Sequence, residues 1–201
     1  MTTATARPTP LAETVARRAR IATVGAALWA VSPVVWSVSE VRDQPIGSLP
    51  FVAVAVAWWI CMVAAPLLLL AGHRALRASL GDGGGRVGTV GITTAATGLA
   101  AMALGIGIEL GSMTVGGGEV VVGYVIWMVG FLVSVIGALL TGITVLRRRH
   151  DGTSKAAGWL LVLAVPLGIG IGLLGDLLAP ENEAVFWAML TVPTGVAWVL
   201  L

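Results

Sequence analysis

An uninterrupted apolar run over residues 120–146 ends abruptly at Arg147-Arg148-Arg149-His150. At about 1.5 Å per residue, roughly 20 apolar residues cross a hydrocarbon core. The run is therefore long enough to span a membrane with some tilt. Its basic stop fixes which end stays in the cytoplasm, because short loops rich in arginine and lysine are retained there. Every other apolar segment can then be oriented by counting crossings from this one.

Only 11% of the residues are charged and 57% are apolar, whereas a soluble domain carries about 25% charged residues. The expected fold is an all-α integral membrane protein, a six-transmembrane-helix bundle built as three helical hairpins. The spans fall at about 21–39, 51–71, 87–111, 120–146, 158–178 and 184–201, after a basic lead-in over residues 1–20. A cleavable signal peptide fits the start less well. The apolar run over 21–38 exceeds the roughly 7–15 residues of a signal core, and no small-x-small cleavage site follows it. Thr9-Pro10 reads as a helix start with proline at the first position.

Charge placement tests this layout. With six spans, all of the twelve basic residues except Arg42 fall on one side. Glu40, Asp43, Glu109, Glu119, Asp176, Glu181 and Glu183 fall on the other, leaving Glu13, Asp82 and Asp151 with the arginines. Both termini are accordingly expected in the cytoplasm of a cell with a plasma-type membrane, a prokaryotic one given the compactness of the chain.

Small residues mark the faces on which helices should pack. Gly91, Gly98 and Gly105 recur every seventh residue in the third span, and Gly123, Gly130 and Gly137 do so in the fourth, joined by Ser134 and Thr141. Without a hydrophobic drive between helices in lipid, association depends on close backbone approach, so these two helices should pack tightly. The motif Leu-Gly-Ile-Gly-Ile occurs at 104–108 and again at 167–171, an echo consistent with duplicated hairpins.

Two carboxylates continue such stripes. Ala101, Gly105 and Glu109 are spaced four apart, as are Gly168, Gly172 and Asp176, so each acid shares a helix face with small residues. Both should face the interior near the outer boundary, since a lipid-facing carboxylate is costly. With Glu40 at the mouth, Asp176 and Glu109 are the candidate ligand- or ion-binding residues. Trp29, Trp58 and Trp59 lie near mid-depth and either fill the core or wall an apolar pocket. Trp36, Trp159, Trp187 and Trp198 fit interfacial belts. Pro33, Pro66, Pro166 and Pro193 each interrupt a span.

Other chemistries have less support. His73 and His150 are expected at the cytoplasmic boundary, with none inside a span, which argues against haem and histidine-metal sites. No serine and histidine are expected to share a membrane depth, against a serine-protease arrangement. The lone Cys61 reads as a small buried residue. Gly81-Asp82-Gly83-Gly84-Gly85 lacks the context of a phosphate cradle and reads as a linker.

No cofactor, metal or nucleic acid is expected; the expected partners are membrane lipids and a second copy or another membrane protein. The leading expectation is a non-catalytic membrane subunit or scaffold packing through glycine-rich faces. The alternatives are a cation- or proton-coupled transporter or channel using the interior carboxylates, and a membrane enzyme acting on a lipid or isoprenoid.

Overall fold

The computed structural model describes residues 9–36, 45, 47–115, 120–178 and 183–201, and every element among them is helical. These are α1 (Pro10–Trp36), α2 (Leu49–Trp58), a π-helical turn (Trp59–Ala64), α3 (Ala65–Leu80), α4 (Gly85–Thr114), α5 (Val121–Arg148), α6 (Gly152–Val162), α7 (Ala164–Leu178) and α8 (Glu183–Leu200). A short 3₁₀ turn, Gly81–Gly84, links α3 to α4.

Three helical segments are long and apolar enough to cross a membrane: Leu49–Leu80, Gly85–Ser112 and Val121–Arg148. A fourth arises if α6 and α7 are taken as one crossing, although they meet at 66°.

Local chemistry accounts for where these helices start and bend. Thr9 Oγ1 accepts from Ala12 N at 3.3 Å, and Pro10 occupies the first turn, where a missing N–H costs nothing. The helix then runs without a break into the apolar segment, so residues 10–20 form the first turns of α1. Ser48 Oγ accepts from Phe51 N at 3.4 Å and starts α2.

The prolines act unequally. Pro66 cannot donate to the preceding turn, and the π turn lies just upstream of it, so Leu49–Leu80 continues as one segment. Near Pro166 the chain instead breaks: Leu163 leaves helical geometry at φ −92°, ψ 5°, dividing the expected fifth span. Pro33 and Pro193 sit inside α1 and α8, which continue past them.

The closest packing joins α4 and α5, antiparallel and in seven-residue register. A Cβ built on Gly105 would stand 2.6 Å from Gly123 O, and one on Gly123 would stand 2.8 Å from Gly105 O. Gly98 and Gly130 face each other in the same way, at 2.6 and 2.8 Å from each other's carbonyl oxygen. Such positions admit only glycine because backbone occupies the space a side chain would need. The strict seven-residue repeat is that of a left-handed helix pair.

Around this hairpin, α1 packs between α3 and α8, α3 rests on α4, and α6 bridges α5 and α8. Gly168, Gly172 and Gly175 of α7 play the corresponding part against Met189 and Val185 of α8.

The basic residues gather at one end. Arg149 donates from Nη2 to Ser79 Oγ at 2.9 Å, tying the end of α5 to the end of α3. A pocket of about 140 Å³ there is lined by Val15, Ser79, Arg149 and Leu201 among others. The first turns of α1 and the final turns of α3, α5 and α8 therefore meet at the same end of the bundle.

Candidate functional site

Met62, Leu69, Met102 and Leu161 are among the fully buried side chains, and Trp29, Trp58 and Trp127 pack into the same core. A small cavity of about 30 Å³ lies where α1, α3, α4, α5 and α8 converge, and a pocket of about 220 Å³ between α5, α7 and α8 shares Phe131, Val135 and Thr194 with it. Trp29, His73, Ser134, Thr194 and Trp198 are the small cavity's lining residues with polar atoms.

His73 corrects the sequence reading. Placed by sequence at the cytoplasmic boundary, it is 2% exposed and stands inside the core, because Leu49–Leu80 extends beyond the expected end of that span. Its Nδ1 lies 3.0 Å from Leu69 O. A carbonyl can only accept, so Nδ1 carries the proton and Nε2 is left as an acceptor. No hydrogen-bond partner for Nε2 exists among the described residues. A buried acceptor left unsatisfied costs about 1–3 kcal/mol.

Trp198 accompanies this correction. It is expected in an interfacial belt but is buried, with its ring centroid 4.2 Å from that of His73 at a 40° tilt. Trp159, by contrast, is exposed. Ser134 and His73 both line this cavity. The Ser134 hydroxyl donates to Phe131 O at 2.8 Å within its own helix. No carboxylate among the described residues lines the void, so the pair lacks the third member that orients a nucleophilic triad.

The candidate residues read from sequence are placed as follows among the described residues. Trp29 lines the central cavity and donates from Nε1 to Thr194 Oγ1 at 3.3 Å. Trp58 is buried in the core away from that cavity, and Trp59 is partly buried near Gly107. Neither Trp58 nor Trp59 lines the central cavity.

Glu109 is 8% exposed, on the face of α4 that packs against α5; its backbone N lies 3.1 Å from where a Cβ on Gly123 would be. Its Oε2 has no hydrogen-bond partner among the described residues. Asp176 belongs to α7, but its side chain lies outside the described residues, as do Glu40 and the other acids of the expected outer mouth.

No cluster of three or more potential metal ligands occurs among the described residues. Cys61 is buried and reduced. His73 is the residue that sequence reasoning passed over: Leu69 four residues before it and Leu76 three after share its helix face, but the adjacent Arg74 marks a boundary in hydropathy.

The class defined by these features is an all-helical protein with three helices long and apolar enough to cross a membrane. No family model, curated protein or solved structure matches the chain.

Proposed function

We propose that this chain is a non-catalytic membrane subunit or scaffold, with six spans, three out-and-back hairpins and both termini in the cytoplasm of a prokaryotic plasma membrane. The observation that carries the reading is the close backbone packing of α4 on α5 through facing glycines. A glycine-packed α4–α5 pair gives the rigid spine such a role requires. The gathering of basic residues at one end supports the orientation. Membrane lipids cover the exposed apolar faces, and a second copy or another membrane protein is the partner in this reading.

One observation favours a second reading, proton- or cation-coupled transport. Glu109 is buried with an oxygen lacking a partner, an arrangement that in membranes marks ion and proton sites. Asp176 and Glu40 complete the carboxylate set in that case.

Purified protein in sealed liposomes separates the two. A scaffold leaves an imposed proton or potassium gradient as long-lived as in empty vesicles. Collapse of the gradient by the wild type, lost in Glu109→Gln or Asp176→Asn, would replace the scaffold reading with the transport one.

A further inference from the structure

We propose that the cavity at the bundle centre is a hydration site, in which one buried water donates to His73 Nε2 and to Ser134 Oγ. This inference stands apart from the scaffold reading and rests on three observations.

The first is the state of the ring. With Nδ1 donating to Leu69 O at 3.0 Å, Nε2 is the ring's remaining polar atom, and it is an acceptor without a partner among the described residues. His73 is 2% exposed, so bulk solvent does not satisfy it.

The second is the chemistry of the walls. The Ser134 hydroxyl donates to Phe131 O at 2.8 Å, with Met102 Sδ at 3.6 Å as a second, weaker acceptor, which leaves its oxygen lone pairs as acceptors. Trp29 Nε1 is already committed to Thr194 Oγ1. Two acceptors facing one void require a ligand that brings two donors. No described carboxylate lines the cavity to hold a charged imidazolium.

The third is size. The cavity measures about 30 Å³, and a site needs about 10–15 Å³ of such volume to hold one water. Apolar cavities of this kind stay dry, whereas polar ones with two or more partners are hydrated. The cavity thus has room for the water proposed. A supply lies close by: Trp198, whose ring rests on His73, lines both this cavity and the pocket of about 140 Å³ beside Arg149.

The chain has two histidines, His73 and His150. Solid-state NMR of the full chain in lipid bilayers, ¹⁵N-labelled at histidine and carrying His150→Gln, therefore reports His73 alone. The expected spectrum has the proton on Nδ1, a hydrogen-bonded bare Nε2, and magnetisation transfer from water to the ring. Ser134→Ala, a small substitution, should keep Nδ1 protonated and lose most of that transfer. A proton on Nε2, a doubly protonated ring, or an Nδ1-protonated ring with no transfer from water would each overturn the proposal. Undiminished transfer in Ser134→Ala would overturn the assignment of serine as the second anchor.

Discussion

At the residue scale, glycine decides where backbones touch. Gly98 of α4 meets Gly130 O and Ser134 of α5 with no space for a side chain. Gly98→Ala should therefore force the helices apart and cost about 1–3 kcal/mol, the usual range for overpacking. Gly170 of α7 has nothing within 4 Å of a built Cβ, so Gly170→Ala should change stability little. Thermal unfolding of both variants in the same detergent checks the contrast; equal losses would mean that the register of α4 on α5 is wrong. These stripes were legible from sequence because a seven-residue repeat of small residues has one structural use at helical spacing. The inward turn of His73 and Trp198 was not legible. Both lie beside residues that mark boundaries, Arg74 for one and the chain's last residues for the other, and hydropathy alone assigned them to the rim. Their burial depends on α3 running to Leu80 and on Gly72 admitting Trp198 and Ala22, which is tertiary information.

At the element scale, helix ends follow local rules more faithfully than helix lengths do. Asp151 caps α6 by accepting from Ser154 N at 2.8 Å. That backbone hydrogen bond, with a further contribution from the Ser154 hydroxyl, holds the carboxyl below its ordinary value of 3.8, and nearby Arg149 acts in the same direction. A carboxylate whose folded pKa is lowered stabilises the fold above its unfolded pKa, and the contribution disappears as pH falls through the lowered value. The first turn of α6 should thus stay capped through the range in which an unperturbed aspartate titrates. The Ser154 amide resonance should follow pH with a midpoint below 3.8, and Asp151→Asn should abolish that titration; a midpoint at or above 3.8 would contradict the capped geometry. The break at Leu163 shows the limit of sequence reading at this scale. Four prolines looked alike in hydropathy, yet two lie within helices that continue past them, one accompanies a π turn and one a 66° bend. Which outcome occurs depends on whether neighbouring helices re-satisfy the released carbonyl.

At the scale of the whole molecule, charge asymmetry and bundle geometry act together. The all-helical fold and the spans now seen as Gly85–Ser112 and Val121–Arg148 were visible in length and hydropathy, because a bilayer demands both. The outer carboxylates could be listed from sequence but not assembled from it, since loop acids carry no periodicity that fixes their direction. Orientation is the claim on which the scaffold reading, the carboxylate alternative and the route to the arginine-end pocket all depend. In a Cys61→Ala background, single cysteines at Ser48, Val115 and His150 can be probed with a membrane-impermeant thiol reagent on intact cells. Labelling at Ser48 and Val115, with His150 reacting only after permeabilisation, is the predicted result. Labelling of His150 from outside the intact cell would contradict it.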